Sequence, residues 1–404
     1  MNFVNKMFEF LNFNEKNTIP YLWDTFYKNV KHEQPFLYYL ENKELKSFTY
    51  KELYAKSHCF AAYLLKIGLK KGNKILVISK NNPQFLIIDL ACHLIGINNW
   101  VIKHQNNETN WKEIFLHFQP HFTIIEDYEV YQNLFELQYL STPVVLIEKN
   151  FDKIALKDHL VLFDTAIEIG KNYWRENQDY INELKFNVKE NDILFYTSFS
   201  QFLTHREFIF NLQNFKKYEV SLKKNNGSIR LLLSLLPFHL LYRYAIYSGI
   251  FQQNIIYLMD YQNITNSSIK KYKINQWYHS GKELAQFTNN WFEGKENYFL
   301  RTFIHKSKNK LHKKINNQNL PFGLKIQLNL FYFYKEYLKH SWSNSLQIHV
   351  LENELSLDTL IYWNIINIPV VTYLIDNHAK VHSAKFNNLN REIFFINKPL
   401  NFFF

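Results

Sequence analysis

Between residues 20 and 150 the chain alternates helical and strand patterns, and few architectures accept that order. Thr49 and Glu52 sit three apart, the spacing of a capping box that opens a helix. Leu53, Ser57, Phe60, Ala61 and Leu64 then share one helical face, and Gly68 supplies the stop. Lys71-Gly72-Asn73 reads as a turn before a short buried strand over 74–79. Asn82-Pro83 is a cap followed by proline at the first helical position. The helix it opens carries Phe85, Ile88, Leu90 and Leu94 ahead of Gly96. A third helix is predicted over 111–118, stopped by Pro120, with apolar strands over 122–125 and 144–147. Strands separated by helices argue for a parallel sheet covered by helices, so the fold class is α/β.

The stretch 193–208 has a different character. An apolar strand over 193–196 runs into the hydroxyls of Thr197 and Ser198. Thr204 and Glu207 repeat the capping-box spacing, and Phe208, Leu212 and Phe215 continue at helical intervals. Strand, hydroxyl loop and helix N-terminus together form the layout of a phosphate site, because free backbone N–H groups and the helix dipole both face an anion. A second alternating unit follows. It has a strand from 230 to 236 ending at Pro237 and His239, a lysine- and histidine-rich helical run over 305–314, a strand over 346–350 and a helix over 357–366. A chain of 404 residues accommodates two such units. The expected division is 1–190 and 191–386, with 387–404 as the truncated start of a third, β subdomain.

Composition narrows the functions. Hydrophobic residues make up 47% and aromatic residues 18%, which excludes disorder over most of the chain. Only 9 glycines are present, few for a glycine-dependent ligand loop, and the wealth of Lys, Asn, Ile, Phe and Tyr is consistent with drift under a compositional bias. The net charge of +11 admits nucleic acid or an anionic membrane surface. The run 305–314 lacks the interleaved aromatic residues that single-strand binders stack on, so no nucleic-acid partner is expected and at most weak membrane-surface contact. Cys59 and Cys92 form no metal or disulfide pattern and are expected in the core. Residues 1–13 lack the apolar run of a signal peptide, and the apolar run 231–242 is too short to span a bilayer, so a cytoplasmic protein without a transmembrane segment is expected. No H-E-x-x-H, G-x-S-x-G or G-x-x-x-x-G-K pattern occurs.

Several of these motifs, in this order, resemble the AMP-forming acyl-CoA synthetases, the long-chain fatty acid–CoA ligases in particular. Phe48-Thr49-Tyr50-Lys51-Glu52-Leu53, Gly68 to Ile75 and Asn82-Pro83-Gln84-Phe85 match structural signatures of that family. Tyr196-Thr197-Ser198 matches the start of its phosphate loop, Y-T-S-G-T-T-G-x-P-K-G, and Leu203-Thr204-His205-Arg206 matches the L-T-H-R that follows. Pro237, His239 and Arg243 match its L-P-L-x-H-x-F-E-R. The resemblance implies two successive helix-covered sheet subdomains, like the large N-terminal domain of adenylate-forming enzymes, with the C-terminal lid domain absent. It implies ATP, magnesium and coenzyme A as cofactors and a fatty acid as substrate. It places Tyr196, Thr197, Ser198 and Thr204 at the remnant of the ATP loop and His239 near the acyl and adenylate pocket.

The departures from the family are as specific as the matches. No glycine or lysine lies between Ser198 and Leu203, and the loop is shorter. Glu352 to Ser356 stands where the family has G-G-A-P-L-S, and residues 374–378 keep nothing of its Y-G-x-T-E, whose glutamate holds magnesium. His378 is no substitute for that carboxylate, since magnesium prefers oxygen. Lys398-Pro399-Leu400 resembles the last family motif before the sequence ends. No catalytic and no metal-ligating residue is therefore assigned. The expected function is that of a synthetase relative with its ATP and magnesium site eroded and little or no adenylation. The alternative is a non-catalytic protein that binds an acyl chain or a partner in the remnant pocket. A basic surface-binding protein and an enzyme completed by a separately encoded lid chain remain as further readings.

Overall fold

The computed structural model describes residues 18–103, 110–140, 144–148, 160–221, 229–293, 346–351, 370–375, 381–386 and 393–395. The strands in chain order are β1 (Pro35–Glu41), β2 (Glu44–Thr49), β3 (Lys74–Ile78), β4 (Asn98–Ile102), β5 (Phe122–Ile125), β6 (Val144–Leu146), β7 (Leu160–Leu162), β8 (Ile193–Tyr196), β9 (Phe202–Thr204), β10 (Arg230–Leu233), β11 (Ile255–Leu258), β12 (Gln276–His279), β13 (Gln347–Leu351), β14 (Val370–Ile375), β15 (Val381–Phe386) and β16 (Ile393–Phe395). Packing divides the chain into two compact units, one within Met1–Ser228 and Leu235–Leu258, the other within Ile229–Ser234 and Met259–Phe404.

In the first unit, seven strands form a sheet in the order β7-β6-β5-β3-β4-β8-β9. All its pairings are parallel except β8 with β9. The same unit holds the ladder β11-β1-β2, where β1 runs parallel to β11 and antiparallel to β2. In the second unit β10, β12, β13 and β14 pair in parallel, and β15 and β16 continue antiparallel. The α/β class with parallel-rich sheets and covering helices is what the alternating pattern predicts.

The local signals act as read. Thr49 and Glu52 close both halves of the capping box that opens the helix Tyr50–Lys66. The face predicted for it, Leu53, Ser57, Phe60, Ala61 and Leu64, is fully buried. Asn82 Oδ1 accepts from the Phe85 N–H and opens the helix Pro83–Leu94, whose buried residues go all the way round. The helix Trp111–Phe118 and the strand β5 fall on their predicted bounds. Gly68 has a φ of +92°, a left-handed value that favours glycine at a helix stop. Cys59 and Cys92 are free and buried. The hairpin β1–β2, the strands β4 and β7 and the helices Phe163–Glu176 and Gln178–Asn187 were not resolved in the sequence reading. Among the described residues no helix is long and apolar enough to cross a membrane. The basic run 305–314 and the motif residues 352–356, 376–378 and 398–400 lie outside the described residues.

Gly170 marks a close approach of the helices Phe163–Glu176 and Tyr50–Lys66. A Cβ there would stand 1.9 Å from the Cys59 carbonyl oxygen and 2.9 Å from the Tyr63 nitrogen, both backbone atoms of the helix Tyr50–Lys66. Backbone in the middle of a helix cannot step aside, so Gly170→Ala is expected to cost about 3 kcal/mol or more, seen as a lowered urea midpoint.

Acid lability is built into the same region. Lys185 Nζ is buried, 2.6 Å from Asp24 Oδ2 and 3.5 Å from His58 Nε2. His58 Nδ1 lies 2.8 Å from the Tyr54 carbonyl oxygen. Burial first, and the Lys185 charge second, push the His58 pKa down to about 3 against a smaller upward pull from that carbonyl. The unfolded chain binds this proton near the ordinary 6.5, the folded chain only near 3. The contribution is therefore complete above about pH 6.5 and is lost as pH falls from there toward 3. Lowering pH from 7 to 4.5 is expected to remove roughly 2–3 kcal/mol through this residue. Urea unfolding of His58→Gln at the two pH values should show a correspondingly smaller drop.

Candidate functional site

The strand β8 carries Tyr196 to the end of the sheet, and the chain then turns sharply. The Thr197 and Ser198 N–H groups both donate to the Gln201 carbonyl oxygen, at 2.9 and 3.3 Å. The Ser200 and Gln201 N–H groups donate to Ser198 Oγ, at 3.4 and 3.1 Å. The turn thus engages four of its own backbone donors, together with the Ser198 hydroxyl as acceptor. It returns as β9, in register Tyr196↔Phe202, Phe195↔Leu203 and Ile193↔Thr204.

The strand β9 changes the layout expected from the sequence. There the hydroxyl loop leads directly into a helix N-terminus; here β9 stands between the two. Thr204 caps the helix His205–Ser221, with Oγ1 accepting from the Glu207 N–H at 3.3 Å and the Glu207 carboxylate accepting from the Thr204 N–H at 2.9 Å. Thr204 is three ladder positions from Tyr196, about 10 Å along the strand. The turn and the helix end therefore do not converge. The spacing of Thr204 and Glu207 reveals the cap, but hairpin pairing has no signal in so short a segment.

Beside the turn lies a cleft of about 210 Å³. Phe195, Tyr196 and Thr197 face it from the β8 side, and Pro237, Phe238 and Arg243 from the turn and helix that follow residue 235. The structure thus brings Tyr196 and Thr197 together with Pro237 and Arg243, two of the three residues that match the family's L-P-L-x-H-x-F-E-R. Ser198 is held inside the turn. His239 occupies the N-cap position of the helix Leu240–Phe251 and lies tilted against Phe238 with centroids 4.0 Å apart, outside the cleft lining. Tyr196 meets Phe118 edge-on at 5.1 Å, and burial raises its phenol pKa.

Behind the cleft lies a buried polar cluster that the sequence reading did not assemble. Asp89 projects from the apolar helix Pro83–Leu94. Its Oδ1 is 3.0 Å from an Arg243 nitrogen and accepts from Asn99 Nδ2 at 2.8 Å. Its Oδ2 accepts from the Tyr247 hydroxyl at 2.9 Å and lies 3.3 Å from His93 Nε2. Arg243 also donates to Asn99 Oδ1 at 2.7 Å and lays its guanidinium 3.7 Å from the Phe195 ring centroid. Burial alone would raise the Asp89 pKa, but Arg243, His93 and Asn99 together hold it well below the usual carboxylate range. The signal available in the sequence was an aspartate inside an unbroken apolar helix. Among the described residues no group of three or more His, Cys, Asp or Glu is placed to hold a metal ion.

The profile of one enzyme family, described as AMP-binding enzyme, matches residues 27–290, more than half of the chain. The chain belongs to the AMP-binding enzyme family. Tyr196, Thr197, Ser198, Thr204, His239 and Arg243 all lie inside the matched span. Solved structures of similar fold include VinN with L-aspartate, at 12% identity and a TM-score of 0.58, covering 91% of this chain and 78% of that one. The A domain of carboxylic acid reductase from Segniliparus rugosus, in complex with AMP and a co-purified carboxylic acid, is similar at 10% identity and a TM-score of 0.60, covering 93% and 63%. Coronafacic acid ligase from Pectobacterium brasiliense is similar at 11% identity and a TM-score of 0.60, covering 91% and 63%. Identities this low establish a shared fold. No curated protein sequence matches the chain significantly.

The Asp89–Arg243 pair anchors β8, the strand that leads into the turn 197–201, through the guanidinium over Phe195. Arg243→Met leaves the Asp89 carboxyl buried without its main countercharge. The expected loss is about 3–5 kcal/mol, measured as the shift of the urea midpoint multiplied by the m-value. A loss below about 1 kcal/mol would mean that the pair is replaceable at no cost.

Proposed function

We propose that this chain is a relative of the AMP-forming acyl-CoA synthetases, of the long-chain fatty acid–CoA ligase type, that carries out little or no adenylation. The reading is carried by the turn 197–201, where four backbone N–H groups donate within the turn. An anion held there would have to compete with those bonds. No glycine lets the backbone open toward a phosphate, and no lysine lies between Ser198 and Leu203 to supply charge. The residues of this turn do not fit the triphosphate that the family fold implies. Adenylation asks a protein chiefly to position reactants and to neutralise developing charge. Loss of one such contact typically costs about 3 kcal/mol in the transition state. Several losses would consume much of the roughly 8–23 kcal/mol by which enzymes lower barriers. We place the protein in the cytoplasm.

The second reading is a binding protein that holds an acyl group against Tyr196 and Thr197. The cleft with Phe195, Pro237 and Phe238 favours it, since apolar walls with a few polar groups suffice for binding.

ATP–pyrophosphate exchange with a panel of fatty acids, with and without a lid-domain protein added, tests the first reading. The expected outcome is exchange at background in every case. Formation of acyl-AMP by the purified chain would overturn it. A rise in Tm with carboxylic acids and none with ATP is the outcome expected of the binding protein.

A further inference from the structure

The helix Ile19–Tyr27 has nine residues, too few to persist in water alone, so it stays folded only by docking. Its inner face, Ile19, Leu22, Trp23 and Phe26, is fully buried within the first unit. Two long-range polar contacts also hold it, and each ends on a histidine. At its start the Ile19 N–H, which has no acceptor inside the helix, donates to His205 Nδ1 at 3.1 Å. Midway, Asp24 Oδ2 holds Lys185 Nζ, which also lies 3.5 Å from His58 Nε2. His58 Nδ1 faces the Tyr54 carbonyl oxygen at 2.8 Å, so Nδ1 carries the hydrogen and Nε2 turns its lone pair to the lysine. In both contacts a ring nitrogen acts as acceptor, which only a neutral imidazole can do at that atom.

We propose that this helix is a pH-released segment, docked while His205 and His58 are neutral and set free when both take up a proton. A proton on His205 Nδ1 removes the acceptor for Ile19. A proton on His58 Nε2 points at the Lys185 ammonium and drives the lysine from its place beside Asp24. The surroundings offer neither charged ring a refuge. His205 meets His93 with centroids 6.2 Å apart and feels the charge of Lys71, which itself pairs with Asp192 at 2.6 Å. His58 meets Lys185, Tyr54 and Trp174, with Asp24 behind the lysine. Of these groups only Asp24 and Asp192 are acids, and each already holds a lysine. Burial, then His93 and Lys71, push the His205 pKa well below 6.5, and burial and Lys185 bring that of His58 to about 3. Once the helix leaves, water reaches both rings and they bind protons near 6.5. Docking is therefore complete above about pH 6.5 and is lost progressively below it. The exposed His32 also touches the helix, at the Tyr27 carbonyl oxygen, but a protonated ring keeps that contact as a donor. The device is independent of adenylation, because it involves no residue of the turn 197–201.

Hydrogen–deuterium exchange of the full chain at pH 7, 6 and 5, corrected for intrinsic exchange rates, reads the opening constant of residues 19–27. Between pH 7 and 5 each histidine should raise that constant about 25-fold, so the pair about 600-fold. The strands β3 and β4 of the same unit should stay protected at pH 5, which distinguishes release of one helix from general unfolding. His205→Asn sets an uncharged oxygen near the place of Nδ1, and His58→Gln one near the place of Nε2. Each single variant should cut the change to about 25-fold, and the double variant should abolish it. The readout is a ratio between pH values, so a variant that is merely less stable does not imitate this result. If a variant fails to fold, the wild-type ratio still decides. A wild-type change below about tenfold, loss of protection in β3 and β4 in step with 19–27, or the full change retained in either single variant would each overturn the proposal.

Discussion

The Asp89 carboxylate, buried inside an apolar helix, fixes the arrangement of the first unit. Removing such a charge from water costs several kcal/mol, and the attraction of one partner seldom offsets it. Here Arg243, Asn99 and Tyr247 all bond the carboxylate, and His93 approaches it. These groups come from the helix Pro83–Leu94, from β4 and from the helix Leu240–Phe251. The guanidinium then covers Phe195 on β8. One charge thus demands that four elements meet in a single geometry. A buried pair of this kind argues for a unique arrangement more than for high stability.

That arrangement carries β8 into the turn 197–201, the segment whose sequence matches the start of the synthetases' phosphate loop, and the proposed loss of adenylation rests on the local chemistry of that turn. A loop that binds phosphate must leave its N–H groups pointing outward, a state that glycine tolerates and that a bound anion satisfies. Residues 197–201 contain no glycine, and backbone donors without a ligand need partners of their own. The Gln201 carbonyl and the Ser198 hydroxyl supply them at short range. A tight hairpin with β9 is the consequence. The scaffold behind the turn draws its stability from burial and its particular arrangement from the Asp89 cluster.

Much of the fold was legible before any coordinates. Capping boxes at Thr49 and Thr204, the Asn82-Pro83 helix start and the glycines at 68 and 96 are local chemistry. They act within three or four residues, so they read directly from the sequence. The α/β class follows from their alternation. The candidate site was only partly legible. Tyr196, Thr197 and Pro237 could be nominated from motif matches, and the structure brings them to one cleft. His239 and Thr204 were nominated on the same grounds and stand apart from it. The strand β9, three residues long, gives no periodicity to read, although it sets the distance between the turn and the helix cap.

The sequence by itself determined the α/β class, the family and the absence of glycine and lysine from the turn, because each is a property of neighbouring residues. Only the tertiary structure decided that Asp89 meets Arg243 across 154 positions of chain, that Thr204 pairs with Ile193 three ladder positions from Tyr196, and that Tyr196 and Pro237 line one cleft. Such pairings depend on how helices and strands pack, and packing is set by the sum of many weak contacts that no short segment contains.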